Sequence, residues 1–113
     1  MKFTLLCDDI SCGTLKGEKG LSIYAQTATR SFLTDTGAGE AFLINAKRTG
    51  VDLTKAEACF ITHGHSDHGG GIEYFLKVNT FLSFLINSVY HNLCKMSKNM
   101  HITNKKTTFY NQF

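Results

Sequence analysis

The chain reads His63-Gly64-His65-Ser66-Asp67-His68, followed at once by Gly69-Gly70-Gly71. Imidazoles and a carboxylate stand close together in this stretch, and such nitrogen and oxygen donors suit zinc and other first-row metals. The side chains of His63, His65, Asp67 and His68 are therefore predicted metal ligands. Zinc is the expected ion, one or two per chain, with iron or manganese as alternatives.

The glycines favour an extended loop over a helix for residues 63–71. Gly64 and the three consecutive glycines would each cost a helix about 1 kcal/mol relative to alanine. In an extended loop, His63 and His65 project to one side, whereas Asp67 and His68 leave the chain in a different direction. One such loop can then serve two adjacent metal ions.

A surface loop rich in histidine, whose acid and hydroxyl groups only cap the next helix, is the plainer alternative. The apolar run Ala58–Ile61 directly precedes the loop and is typical of a buried strand. Because α/β proteins place their sites at the carboxyl ends of strands, this context favours the metal site.

Residues 62–71 resemble the His-x-His-x-Asp-His signature of the metallo-β-lactamase-fold metallohydrolases. Further similarities lie upstream, at Asp35-Thr36-Gly37, at Asn45-Ala46 and at residues 50–53, Gly-Val-Asp-Leu. Together they resemble a branch of that superfamily related to the dihydropterin-type phosphate synthases. The likeness predicts that residues 1–79 form the N-terminal part of such a domain and that residues 80–113 form a divergent tail, helical or disordered.

The resemblance implies an α/β fold, half of an αββα sandwich, and a hydrolase of a small-molecule substrate in which a di-metal centre activates water. His63 and His65 would hold the first ion, and Asp67 and His68 the second, with Asp67 also accepting a proton as a catalytic residue. Family members draw further ligands, two histidines and a bridging acid, from their other half, yet no acid follows Glu73 here. The alternative is a non-catalytic fragment that binds metal weakly, or that needs a complementary chain or a second copy of itself.

The Asp35-Thr36-Gly37 segment has two functional interpretations besides a simple turn. By the resemblance, Asp35 orients the metal loop from outside the ligand set, since a ligating histidine needs its other ring nitrogen fixed. Asp-Thr-Gly is also the catalytic motif of aspartic proteases, which require a late apolar-apolar-Gly segment. No glycine follows Gly71, and a protease leaves the histidines without a role, so the first interpretation is favoured.

Hydrophobic periodicity and end signals predict alternating strands and helices. Strands are expected at residues 3–7, 21–25, 31–34 and 58–61, and a helix at residues 40–49 that ends at Gly50. Helical spacing also predicts a short helix containing Ile72, Phe75 and Leu76, and a second one across residues 82–93.

Composition changes abruptly along the chain. Residues 1–73 hold nine acids against seven Lys and Arg, whereas residues 74–113 hold five lysines and no acid, and all ten glycines lie at or before Gly71. This break suggests that the tail is foreign to the ancestral domain, as after a frameshift or a gene truncation. Five lysines among scattered aromatics are a weak basis for binding nucleic acid, which is not expected.

The four cysteines form no Cys-x-x-Cys pair, and the apolar run before Asp8 is too short for a signal peptide. A reduced, cytoplasmic protein without a membrane span is therefore expected. Cys7 and Cys59 lie in apolar runs and are predicted core residues. At 113 residues, the chain has room for a single domain.

Overall fold

The structure is a computed structural model, and it describes residues 1–79 and 83–86. Five strands form one sheet in the order of the sequence: β1 (Lys2–Cys7), β2 (Ser22–Gln26), β3 (Ser31–Thr34), β4 (Ala58–Ile61) and β5 (Ser83–Ile86). β2 pairs antiparallel with both β1 and β3, whereas β4 pairs parallel with both β3 and β5. The α/β class and the first four strands are as predicted.

In the part of the chain that the structure describes, three helices accompany the sheet: α1 (Ala41–Thr49), α2 (Ser66–Gly69) and α3 (Ile72–Val78), with a 3-10 turn at Leu53–Lys55. α1 forms the crossover that parallel pairing of β3 and β4 requires. It ends as predicted at Gly50, whose φ of 74° is left-handed and whose N–H bonds back to the carbonyls of Ala46 and Lys47.

The hydrophobic core lies between one face of the sheet and helices α1 and α3. Its members are Leu6, Cys7, Tyr24, Leu33, Cys59 and Ile61 from the sheet, Phe42, Ala46, Ile72 and Phe75 from the helices, and Leu53 and Ala56 from the segment between α1 and β4. The rings of Phe42 and Phe75 meet edge to face, their centroids 6.3 Å apart. Cys7 and Cys59 are core residues as predicted, and Cys12 is exposed.

The opposite face of the sheet is also apolar but far more accessible. Phe3 and Leu5 on β1 are 65% and 46% exposed. Phe32 and Phe60, partly buried, pack side by side on the same face, with ring centroids 5.9 Å apart. We call these four residues, with Ile23, the outer face.

The helix predicted for residues 82–93 is wrong at Ser83–Ile86, which form β5 and pair with β4. A short apolar run suits a buried parallel strand as well as a helix, and pairing with β4 decides between them. The remainder of that prediction lies outside the described residues, and the boundary at residue 79 stays a prediction. Among the helices that the structure describes, none is long and apolar enough to cross a membrane.

Candidate metal centre

The histidine loop leaves the carboxyl end of β4. Its backbone is extended at His65 and then turns helical, because the His65 carbonyl accepts hydrogen bonds from the N–H groups of His68 and Gly69 at 3.1 and 3.0 Å. The extended loop predicted for residues 63–71 is therefore wrong from Ser66 onward. The helix α2 makes only one turn, so it contains a single glycine at its end and avoids most of the expected cost.

The three imidazole rings of the loop lie together. The ring centroid of His63 is 4.6 Å from that of His65 and 4.1 Å from that of His68. The divergent direction predicted for His68 is thus wrong, because the turn of α2 brings its ring back against His63. His63 and His68 are partly buried, and His65 is exposed.

Asp35 ties this cluster to the end of β3. Its carboxylate is fully buried, and Oδ1 accepts a hydrogen bond from the Thr62 N–H at 2.8 Å. Oδ2 lies 2.8 Å from both the Thr62 hydroxyl and Nδ1 of His68. Asp35 also has a φ of 55°, an uncommon left-handed conformation for a residue other than glycine, and such backbone cost is often found at functional sites.

The next residue, Thr36, holds the far end of the loop. Its N–H and its hydroxyl both donate to the His68 carbonyl, at 2.7 and 3.1 Å, and its hydroxyl oxygen accepts from the Gly71 N–H at 3.1 Å. Asp35 and Thr36 therefore fix the histidine loop at both of its ends.

Gly20 supports Asp67, a contact that sequence analysis missed. Gly20 has a φ of 110°, and a Cβ there would lie only 1.6 Å from the Asp67 carbonyl oxygen. The N–H of Leu21 donates to that same carbonyl at 3.4 Å. The polar stretch before β2 thus packs under the predicted ligand Asp67, and no local sequence signal marks Gly20 among the other glycines of that stretch.

Two side chains anchor the stretch between β1 and β2 onto α1. Glu18 accepts hydrogen bonds from the Gly39 and Ala41 N–H groups, at 2.8 and 3.4 Å, and so caps the start of α1. Buried Asn45 donates to the carbonyls of Leu6 and Lys16, at 2.9 and 2.8 Å. The stretch is therefore tied to the core rather than being only a solvated loop.

The buried cysteines are poor nucleophiles. Burial, with the nearby Asp35 charge, raises the pKa of the Cys59 thiol well above its usual value. Burial and the neighbouring carboxylate of Glu18 raise the pKa of Cys7 to about 11. Both thiols are therefore protonated at neutral pH, and a protonated thiol is a weak nucleophile.

The donors present suit a zinc ion in type, since neutral imidazoles and a carboxylate are common zinc ligands. Nδ1 of His63 is hydrogen-bonded to Thr62, and Nδ1 of His68 to Asp35. In each ring, Nε2 is therefore the nitrogen that can bind a metal ion. Within residues 1–79 and 83–86, however, no three His, Cys, Asp or Glu side chains form a ready-made metal site. The described residues thus supply positioned donors rather than a complete coordination shell.

Comparison with solved structures shows similarity to metallo-β-lactamase-fold hydrolases. The match to Tm1679, a metal-dependent hydrolase of the β-lactamase superfamily, has 32% identity and a TM-score of 0.60, and covers 75% of this chain and 29% of that one. A metallo-β-lactamase of Cronobacter sakazakii with a HARLDQ motif matches with 18% identity and a TM-score of 0.59, over 74% of this chain and 32% of that one. SMB-1, a metallo-β-lactamase in complex with mercaptoacetic acid, matches with 21% identity and a TM-score of 0.53, over 63% and 28%.

At 18% and 21% identity, the last two matches show similarity of fold alone. This chain spans about a third or less of the length of each matched structure. No curated protein sequence matches it. The sequence profile of the metallo-beta-lactamase superfamily matches residues 15–95, which is more than half of the chain. The chain therefore belongs to the metallo-β-lactamase superfamily.

Proposed function

We propose that this chain is a metal-dependent hydrolase of a small-molecule substrate, with His63, His65, Asp67 and His68 as metal ligands. The observation that carries the proposal is the buried Asp35 carboxylate, which bonds Nδ1 of His68 and both the N–H and the hydroxyl of Thr62. Ligating histidines ordinarily have such a partner on their other ring nitrogen. The similarity to a metal-dependent hydrolase at 32% identity supports the same conclusion.

Each residue has a distinct role in the proposal. His63 and His65 bind one ion, and Asp67 and His68 bind a second, with zinc the preferred metal. Such ions, when bound, supply an activated water at neutral pH and polarise a carbonyl or phosphoryl oxygen. Asp67 accepts a proton, and Asp35 keeps the His68 ring in place without touching the substrate.

A second candidate is a non-catalytic fragment that binds metal weakly or requires a complementary chain or a second copy. Zinc sites ordinarily use three or four protein ligands, and two per ion are too few for tight binding. The matched structures are much longer than this chain, and the outer face exposes Phe3 and Leu5 to solvent. These observations support a complementary chain or a second copy packed on that face.

The proposed ligands are tested by zinc calorimetry and elemental analysis of the purified full chain. We expect zinc binding in the wild-type chain, and its loss in a His63→Ala/His65→Ala variant. A His101→Ala variant is the control, since it removes a histidine outside the motif and should leave binding unchanged. Equal zinc content in all three chains would contradict the proposed ligand set.

The catalytic part of the proposal is tested separately, on the zinc-loaded chain. Phosphoester and thioester substrates should be hydrolysed above the rate of the metal-free chain, with activity removed by a chelator. Background rates with intact zinc binding would favour the non-catalytic fragment. Sedimentation analysis would then show whether the chain is a monomer or associates with itself.

A further inference from the structure

Thr62 stands between Asp35 and His63. Its hydroxyl oxygen lies 2.8 Å from Oδ2 of Asp35 and 3.0 Å from Nδ1 of His63. Its backbone N–H donates to Oδ1 of the same carboxylate, which holds the residue against Asp35 by a second bond. The hydroxyl therefore has one partner on each side.

The direction of these two hydrogen bonds follows from what each group can donate. An ionised carboxylate only accepts, so the single hydroxyl proton of Thr62 goes to Asp35. The hydroxyl oxygen then faces Nδ1 of His63 with its lone pairs, and Nδ1 must carry the ring proton. A neutral imidazole protonated on Nδ1 leaves a lone pair on Nε2.

We propose that Thr62 is a positioning residue whose hydroxyl relays Asp35 to His63, fixing the His63 tautomer that presents Nε2 to a metal ion. Asp35 sets the same tautomer in His68 by direct contact with Nδ1. One buried carboxylate thus orders two histidines, one directly and one through a hydroxyl. This inference rests on the proposed function in one respect only: it assigns the Nε2 lone pair of His63 to a metal ion.

The chain offers a matched pair of substitutions at this position. Thr62→Val keeps the shape of the side chain and its branched Cβ but removes the hydroxyl, whereas Thr62→Ser keeps the hydroxyl. Both retain the backbone N–H that donates to Asp35. A purely structural contribution of the Thr62 side chain would therefore respond more to serine than to valine.

The tautomers are measured on the metal-free full chain by long-range nitrogen–proton NMR correlations of the imidazole rings, at a pH where they are neutral. We expect the His63 ring to carry its proton on Nδ1 in the wild type and in Thr62→Ser, and to shift towards Nε2 protonation in Thr62→Val. The His68 ring should remain protonated on Nδ1 in all three chains, which makes it an internal reference. A His63 tautomer that is unchanged in Thr62→Val, or that changes together with His68, would overturn the proposal.

Zinc calorimetry on the same three chains gives the second readout. Thr62→Val should weaken zinc binding about 10- to 100-fold, as is usual when the partner of a ligating histidine is lost, and Thr62→Ser should stay within about threefold of wild type. Equal affinity in Thr62→Val and the wild type would also overturn the proposal. If the wild-type chain binds no zinc, the proposed function fails, but the tautomer measurement still decides the role of Thr62.

Discussion

At the scale of single residues, Asp35 gathers groups that are distant in the sequence. Thr62 is 27 positions away and His68 is 33 positions away, yet both bond its carboxylate. The resemblance of the Asp-Thr-Gly segment predicted that Asp35 orients the loop, and that role stays a prediction until metal binding is measured. The position of the Thr62 hydroxyl between Asp35 and His63 could not be predicted, because it depends on where β3 and β4 end relative to each other.

Gly20 is the residue where close approach matters most. Gly20→Ala should lower the free energy of unfolding by about 3 kcal/mol or more, because its Cβ would overlap the Asp67 carbonyl and φ is 110°. Gly13→Ala is the control, since Gly13 also has a positive φ of 57° but nothing lies within 4 Å of its Cβ position, and it should cost about 1 to 2 kcal/mol. Urea unfolding followed by circular dichroism compares them. Equal losses would show that Gly20 is not packed under Asp67 in solution.

Because two thiols are buried, we expect the free energy of unfolding to fall at alkaline pH. The pKa of Cys7 is raised to about 11 from 9.0, and burial also raises the pKa of Cys59, so in the folded chain both keep protons that the unfolded chain loses above pH 9. Their contribution to stability is complete below pH 9 and declines as the pH rises from 9 towards 11. Urea unfolding at several pH values should show this decline. In Cys59→Ala, the free energy of unfolding should fall less steeply with pH. An unchanged slope in that variant would contradict the burial of the thiol.

At the scale of elements, sequence periodicity predicted α1 and strands β1 to β4 because each carries a complete local signal. α1 has basic residues in its last turn and a left-handed glycine after it, and β4 is a short apolar run before the histidines. Residues 66–69 and Ser83–Ile86 were wrongly predicted for a common reason. Both are short segments whose conformation depends on contacts with Thr36 and with β4, respectively.

The N-terminus of α1 provides a test of long-range capping. Glu18→Gln should destabilise the chain by about 0.5 to 1 kcal/mol, because a negative charge is lost where the Gly39 and Ala41 N–H groups converge. Glu57→Gln is the matched control, since the exposed Glu57 carboxylate pairs with Arg30 and lies outside the helices, and it should cost less than about 0.5 kcal/mol. Thermal unfolding at low salt compares the two variants. A larger effect at Glu57 than at Glu18 would contradict the assigned cap.

At the scale of the whole molecule, the sheet has two unlike faces. One is covered by α1 and α3 and forms the core, and the other, the outer face, exposes Phe3 and Leu5. An accessible apolar face on a sheet usually marks a surface that another element covers. In the second proposal, the complementary chain or second copy lies on this face.

Two phenylalanines distinguish the faces by experiment. Phe42→Ala should cost about 3 to 5 kcal/mol, since this ring is fully buried against Phe75, whereas Phe3→Ala should cost less than about 1 kcal/mol. Urea unfolding of dilute protein measures both. A large loss in Phe3→Ala that grows with protein concentration would show that a second copy covers the outer face.

The sequence by itself determined the superfamily, the positions of the first four strands, the helix α1 and the set of histidines and aspartates that make the loop suited to a metal. Such features are local, and each is marked by a few neighbouring residues. Only the tertiary structure decided which groups meet: Asp35 with Thr62 and His68, Gly20 under Asp67, and β5 beside β4. These contacts join segments far apart in the chain, so they depend on how the sheet and its helices pack rather than on the residues beside them.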